Sequence, residues 1–409
     1  MTREPRVRGW IARGSLGVCA GILAVGLLGV APAGTATSTP GAGSVATGEY
    51  HACALVAGGT VKCWGLDNSG QLGNGGSTSD FSKQTKPVSV IGLSGVAAVA
   101  NGDNHSCALL KNGTVKCWGL NDAGQLGDGS RTSASKPVSV KGVNGGGLLS
   151  GVTALAAAQN HTCALLSAGG GTVKCWGQNN AGVLGNGSTK GKAALTPSSV
   201  SGLTRVVHVS TSVNDTCAVL QGRTVKCWGF SEYGELGPGV TGPDGCDFGD
   251  FTVPCSAKPL TVKGISNVVA ISVREHSSCA IVKAGKVTCW GDSKKNFTTV
   301  PGVSNATTVT SSGDAASYGD YSCVLLATRT VRCWGYNHEG ELGNGTTKNA
   351  ATPTNVAGLS GVSAISAGVT FACARLTSGS VMCWGANNYG QLGNGGGSNR
   401  AKPVKVVGL

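Results

Sequence analysis

Seven times along the chain, two cysteines ten or twelve residues apart bracket a short turn, and Trp-Gly follows the second cysteine. Cys53 is followed in this way by Cys63, Cys107 by Cys117, Cys163 by Cys175, Cys217 by Cys227, Cys279 by Cys289, Cys323 by Cys333 and Cys373 by Cys383. In the second copy the intervening residues run Ala108-Leu109-Leu110-Lys111-Asn112-Gly113-Thr114-Val115-Lys116, two apolar runs around a glycine-bearing turn. That is the pattern of a β-hairpin. If the two cysteines stand directly opposite each other, Lys111-Asn112-Gly113 closes the hairpin as a three-residue loop that ends in a left-handed residue. Five of the seven loops carry glycine at that last place: Gly59, Gly113, Gly171, Gly285 and Gly379.

The same register sets Leu55 opposite Val61, Leu109 opposite Val115, Leu165 opposite Val173, Val219 opposite Val225, Ile281 opposite Val287 and Leu325 opposite Val331. The last copy departs, with Arg375 facing Val381. The third copy tests the register, because its two extra residues fall in the loop Ser167-Ala168-Gly169-Gly170-Gly171 and leave Cys163 facing Cys175. A one-residue insertion would have turned the cysteines to opposite faces. Directly opposed residues have Cα atoms within disulfide range, so all seven pairs are read as disulfides that staple their own hairpins. Each closes a short loop and contributes about 2–3 kcal/mol at most on the chain-entropy argument. Of the 17 cysteines, Cys246 and Cys255 form an eighth candidate pair and only Cys19 is left over.

Cys19 lies in a segment expected to be removed. Arg3, Arg6, Arg8 and Arg13 make a basic start, an apolar run follows from Leu16 to Val30, and Ala31-Pro32-Ala33 ends it. This is the order of a secretory signal peptide over residues 1–33. An uncleaved anchor is the alternative, but the run is short for a span of about twenty residues. A lipoprotein signal would end its apolar run on the cysteine, whereas Cys19 precedes most of the run. Export and cysteine pairing agree, since disulfides persist in oxidising compartments. No later segment is apolar enough to cross a bilayer. The net charge of +13 falls to about +10 once residues 1–33 leave. The remaining Lys and Arg are scattered, with no run resembling a nucleic-acid arm, so the charge is read as solubility or affinity for anionic polymers.

Residues 34–44, rich in Gly, Ala, Ser, Thr and Pro, read as a flexible leader. From Val45 on, four short strands recur in order: an apolar strand such as Val96-Ala97-Ala98-Val99, the cysteine hairpin, and a Lys-Pro-Val strand such as Lys136-Pro137-Val138 after a loop. Successive repeat tryptophans are 44 to 62 residues apart, and no unit shows helical periodicity. Four-stranded units of this length predict an all-β fold, a seven-bladed β-propeller of four-stranded antiparallel blades over residues 45–409. Its ring is expected to close by seating strands from both termini side by side.

The succession Gly102, His105, Ala108-Leu109, Trp118-Gly119, Gly124-Gln125-Leu126-Gly127 closely resembles the regulator of chromosome condensation repeat, whose fold is a seven-bladed propeller. The resemblance covers about residues 45–409 and recurs at Gly70-Gln71-Leu72-Gly73 and Gly390-Gln391-Leu392-Gly393. Blade five departs: only Asp292-Ser293-Lys294-Lys295-Asn296-Phe297 follows Trp290, which leaves one sector of the rim low. The family's best-known member is a nuclear exchange factor for a small GTPase that also binds nucleosomes. That activity does not transfer to an exported, disulfide-laced chain. Secreted bacterial propellers of the same repeat look nearer, and one group of them inhibits β-lactamases by covering the active site with propeller loops.

Among candidate sites, His51, His105 and His161 sit two residues before a hairpin cysteine, where other copies hold Asp215, Ser277, Tyr321 and Phe371. Convergence on a metal is weighed against a repeat role tying one blade's turn to the next, and the second is favoured. The seven repeat tryptophans are read as inter-blade packing instead of sugar platforms. The Gly-Gln-Leu-Gly loops lack the lysine and the strand-to-helix context of a phosphate loop and read as tight turns with a buried leucine. The most distinctive segment is the insertion over residues 238–255 in blade four. Asp244, Asp247, Phe248, Asp250 and Phe251, with Tyr233 nearby, make it a candidate binding site on a loop pinned by a bond between Cys246 and Cys255. The spacing of its aspartates does not match a calcium loop, and a merely structural loop is the competing reading.

No catalytic constellation, cofactor motif or metal site is evident in the sequence. The chain is therefore expected to be a monomeric, non-enzymatic propeller, secreted or held at the cell surface, that recognises a protein or an envelope polymer through its rim loops, without nucleic acid. An enzyme with a site in the central channel, and a secreted inhibitor of the β-lactamase-inhibitory kind, are the alternatives.

Overall fold

The computed structural model describes residues 45–76, 82–248, 251–314 and 319–409. The signal peptide and leader expected over residues 1–44, with Cys19, lie outside them. Seven antiparallel sheets follow one another along the chain. Blades one to seven span residues 45–89, 96–139, 152–199, 206–261, 270–299, 306–355 and 362–405. Six have four strands in sequence order, and blade four has a fifth. The first strands, from Val45–Thr47 to Val362–Ala367, touch one another around the ring and so line the axis. The fourth strands are the half-exposed outer edge.

The hairpin register follows the expectation. Each of the seven cysteine pairs is directly opposed, and the six aliphatic pairs and Arg375 with Val381 face each other as the repeat requires. All seven pairs are disulfides with Cα atoms 4.0–4.1 Å apart. Cys53 is bonded to Cys63, Cys107 to Cys117, Cys163 to Cys175 and Cys217 to Cys227. Likewise Cys279 is bonded to Cys289, Cys323 to Cys333 and Cys373 to Cys383. The third-strand members Cys63, Cys117, Cys175, Cys227, Cys333 and Cys383 are fully buried, so these bonds lie inside the wedges and not on the rim, with half-buried Cys289 the exception.

Closure differs from the expectation. Blade one is built wholly from residues 45–89 and blade seven wholly from 362–405, so no sheet mixes the two ends. The seam is closed by contacts between blades instead. Thr47 Oγ1 and Ser366 Oγ lie 2.8 Å apart, Arg375 Nη1 donates to the Leu55 carbonyl at 2.7 Å, and Trp64 Nε1 donates to the Gln391 carbonyl at 2.9 Å.

The Trp-Gly motif has a backbone cause. Its seven glycines have φ between 95° and 110°, where the third strand bends and pairing with the fourth strand skips a residue. A Cβ on Gly65 would lie 2.3 Å from the Tyr50 carbonyl oxygen, so no other residue fits. The bend turns the tryptophan into the gap behind the preceding blade. Six indoles donate to one backbone carbonyl there, at 2.8–3.0 Å: Trp118 to Gln71, Trp176 to Gln125, Trp228 to Val183, Trp290 to Glu235, Trp384 to Glu341 and Trp64 to Gln391. Each acceptor sits in the loop after the preceding blade's Trp-Gly, and the next residue is a fully buried leucine: Leu72, Leu126, Leu184, Leu236, Leu342 or Leu392. The loop is thus a lid that closes the wedge between blades, satisfying a polar atom and burying an aliphatic side chain together.

Candidate functional site

The histidines serve this seam. His51 Nε2 meets Ser106 Oγ at 2.9 Å, His105 Nε2 meets Thr162 Oγ1 at 2.8 Å, and His161 Nε2 meets Thr216 Oγ1 at 3.5 Å, each time on the next blade. Burial pushes these imidazoles down, to about 3 for His51 and His161 and about 4 for His105, so they are neutral. Tyr321 does the same task with its hydroxyl, which donates toward the Gly368 and Phe371 carbonyls at 2.7 and 2.6 Å. Among the described residues no three His, Cys, Asp or Glu side chains converge as a metal site would need.

The hydroxyls that meet these rings also bond the lids. Ser106, Thr162 and Thr216 donate to the Gln71, Gln125 and Val183 carbonyls at 3.0–3.2 Å, the same oxygens that accept from the indoles. Their signal in the sequence is that Ser or Thr precedes the first hairpin cysteine in five of the seven copies, a pattern that by itself names no partner. Nearer the axis a second belt joins neighbouring first strands. Asn101 Nδ2 donates to the Ala46 carbonyl, and the backbone N–H groups of Val273, Ser311 and Ala367 donate to Ser210, Ser272 and Thr310 hydroxyls at 2.9–3.2 Å. All of these side chains are buried, so these polar groups are spent in joining blades, although Asn101 Oδ1, His208 Nδ1 and Thr211 Oγ1 are buried without a hydrogen-bond partner among the described residues.

The blade-four insertion is a hairpin, not an open loop. Asp244–Phe248 pairs antiparallel with the start of Phe251–Thr261 and becomes the outermost strand of its sheet. Cys246 and Cys255 are bonded, two positions out of direct opposition, with Cα atoms 5.9 Å apart. Both are buried with Phe230, Val253 and Ala181, the last from the short turn Asn180–Gly182 of blade three. The six candidate residues separate accordingly. Asp244 faces inward, its Oδ2 accepting the Ala257 N–H at 3.0 Å. The half-buried Tyr233 ring lies against Phe230 and His276, with centroids 5.9 and 4.4 Å away, at the root of the hairpin. Asp247 is exposed, and Phe251, 60% exposed, pairs with Phe248 across the tip. Asp250 lies outside the described residues. The tip and the root thus do not form one patch: Phe251 and Asp247 are presented outward, while Tyr233 and Asp244 hold the hairpin to the ring.

The regulator of chromosome condensation (RCC1) repeat matches residues 58–109, 112–165, 170–219, 331–375 and 378–409, and a second form of it matches 44–71, 96–125 and 362–391. The human E3 ubiquitin-protein ligase HERC2 is 31% identical over 333 residues, covering 77% of this chain but 6% of that protein. The chain therefore corresponds to a small fraction of that relative. The ultraviolet-B receptor UVR8 of Arabidopsis thaliana is 26% identical over 325 residues, covering 76% of this chain and 69% of the receptor. Among solved structures, Prp20p of Saccharomyces cerevisiae, described with its binding to Gsp1p and histones, superposes with a TM-score of 0.68 at 20% identity over 85% of this chain and 86% of its own. The same yeast protein bound to Kap60 gives 0.70 at 18% identity, over 100% and 92%. The yeast structures share the fold. The chain belongs to the regulator of chromosome condensation repeat family.

Proposed function

We propose that this protein is an exported, non-enzymatic binding propeller that engages a protein partner through its rim, with the blade-four hairpin as the principal contact. The observation that carries this reading is that hairpin: a two-stranded finger, cross-linked by Cys246 and Cys255 and anchored on blade three, that presents Phe251 and Asp247 to solvent. A finger fixed before binding loses little conformational entropy on association, and an exposed aromatic at its tip is the usual kind of anchor. Export is supported by the cysteines. All sixteen beyond residue 45 are paired, an arrangement suited to an oxidising compartment. Family propellers are of the binding and regulatory kind, and the Prp20p structures concern protein partners. An envelope polymer is the runner-up, favoured by the basic charge, +13 over the whole sequence and about +10 once residues 1–33 leave.

The test uses substitutions at the tip, since removing the hairpin would uncover Phe230 and Ala181 and confound binding with stability. A double variant Phe251→Ser, Asp247→Lys should keep its circular dichroism spectrum and Tm. Its capture of partner from the extracellular fraction of the producing culture should fall at least tenfold, corresponding to about 1.4 kcal/mol. Undiminished capture by the double variant would place the contact elsewhere. Mass analysis of the secreted product bears on export: a mature chain starting near Gly34 with no free thiol is expected.

A further inference from the structure

Between blades five and six the lid is missing. The strand Lys286–Gly291 turns straight into Lys294–Thr299 through Asp292 and Ser293, both left-handed with φ of 51° and 59°. Three observations on either side register the loss. Trp334, which the lid of blade five would cover, is half-buried, whereas the other six repeat tryptophans are at most 1% exposed. Its indole N–H has no acceptor among the described residues. Cys289 is half-buried, whereas every other disulfide cysteine is at most 2% exposed. Ser322 takes the place of Ser106, Thr162 and Thr216, yet its hydroxyl turns to Ser311 Oγ at 2.9 Å instead of meeting a carbonyl of the preceding blade. Below the gap, Trp334 and Cys289 pack on Val300, Val303, Val309 and Val324.

The rest of the ring states what such a gap accepts. At Trp118, Trp176 and Trp228 an indole and a hydroxyl converge on one backbone carbonyl, followed by a leucine that is fully enclosed. At Trp334 the indole donor and the apolar floor remain, the Ser322 hydroxyl is spent on Ser311, and the carbonyl and the leucine are gone. We infer that the notch between blades five and six is a recognition socket for a leucine-bearing tight turn of another protein, its leucine filling the space above Val300 and Val303 and the preceding carbonyl accepting from Trp334 Nε1.

A second copy of this chain is disfavoured as the donor, for two reasons. Each of its six lid leucines is fully buried in its own ring. Its net positive charge, about +10 without residues 1–33, also opposes self-association. The same charge favours an acidic residue just before the leucine, while Lys294 on the blade-five edge of the notch is already paired with Asp292 at 3.6 Å. The chain's own Gly340-Glu341-Leu342-Gly343 is therefore the template for the partner segment. The socket is separate from the blade-four hairpin and stands whether or not that hairpin binds.

The probe is a backbone-cyclised peptide with the sequence of residues 337–345, titrated into the oxidised full chain carrying indole-¹⁵N tryptophan. One indole resonance, the one lost in Trp334→Phe, should shift downfield saturably as it gains an acceptor, while those of the six lidded tryptophans stay in place. A peptide with the leucine replaced by alanine should bind at least tenfold more weakly. Should Trp334→Phe fold poorly, a second variant serves: grafting residues 337–345 between Asp292 and Ser293 should shift the Trp334 resonance without peptide and abolish peptide binding. No shift at saturating peptide, equal binding of the alanine peptide, or unchanged binding by the graft overturns the proposal. A shift that depends on protein concentration without peptide also overturns it, in favour of self-association.

Discussion

Blades four and five are neighbours that leave the repeat in opposite directions. Blade four keeps its lid, Gly234-Glu235-Leu236-Gly237, and adds a cross-linked hairpin beyond it. Blade five loses the lid and passes between its third and fourth strands in two residues. The hairpin adds a cluster of its own around Cys246, Cys255 and Phe230 without disturbing the four strands inside it. The deletion leaves the four strands of blade five intact and is felt in the wedge beyond it, at Cys289 of blade five and at Trp334 and Ser322 of blade six. A propeller blade is thus autonomous in its sheet and dependent in its wedge. An addition outside the four strands packs on the blade before it, and the loss of a lid is felt on both walls of the wedge it would have closed.

The largest effect that distinguishes the two seams is expected at Leu236. This side chain closes the wedge onto Trp290 and is fully buried, so Leu236→Ala should cost about 3–5 kcal/mol through lost transfer energy and a residual cavity. Guanidinium unfolding of the oxidised protein measures it. The seam between blades five and six already lacks the corresponding side chain and holds its register through its own cluster of Val300, Val303, Val309 and Val324. A cost under about 1 kcal/mol at Leu236 would mean that lids contribute little anywhere and that the notch is no defect.

The lid of blade four carries a liability that blade five escapes. Where three lids have Gln71, Gln125 and Gln391, this one has Glu235, and blade six has Glu341. In all five the side-chain oxygen accepts the N–H two residues back, at 2.8–3.0 Å. The amide nitrogens of Gln71 and Gln125 then donate onward to Asn68 and Asp122, whereas Glu235 Oε1 and Glu341 Oε1 have no partner. Burial, first of all, pushes both carboxyls up from 4.5 to about 7. The folded state then holds a proton that the unfolded chain has released between pH 4.5 and 7. Each glutamate therefore favours folding below that window and loses this advantage as pH rises through it. Glu235→Gln supplies a permanent donor in place of the titrating one. The variant should be more stable than the parent by about 1–3 kcal/mol at pH 8. The difference should narrow as pH falls toward 4.5, with thermal unfolding at several pH values as the readout. A constant difference across that range would remove titration from the explanation.

How much of this was legible in the sequence follows from the range of the interactions. The hairpin register, the disulfides and the fold were legible because Cys107 and Cys117 or Leu109 and Val115 are local partners, and seven copies repeat the test. The lid was legible as a turn with a buried leucine, but its purpose was not, since Trp118 Nε1 and Ser106 Oγ meet the Gln71 carbonyl across 35 to 47 residues. Ring closure was misjudged for the same reason: Arg375, noted only as an exception in its hairpin, reaches Leu55 across 320 residues. In the insertion, composition flagged the right segment but could not separate Asp244, bonded to the Ala257 N–H, from the exposed Asp247 three residues on. The alternation that decides this belongs to a strand whose pairing was not foreseen.

The smallest effect lies at the opposite face, where the two blades make their hairpin turns differently. Blade five places Gly285 at the left-handed last position, with φ of 66°. Blade four places Arg223 there, with φ of 60°. A side chain in this region costs roughly 1–2 kcal/mol of strain. Glycine relieves that strain but loses about 0.5–1 kcal/mol through unfolded-state entropy. Arg223→Gly should therefore be near neutral to mildly stabilising, by no more than about 1 kcal/mol. The reverse change is not symmetrical. A Cβ on Gly285 would stand 2.5 Å from the Asn305 Cα and the Ala306 nitrogen, both backbone atoms that cannot step aside, and Ala306 opens the first strand of blade six. Gly285→Ala should accordingly destabilise by more than Arg223→Gly stabilises, measured by the same denaturant midpoints. If the two changes proved equal and opposite, the contact between this turn and blade six would be looser than the geometry indicates, and the burden of holding blades five and six together would rest on their valine cluster alone.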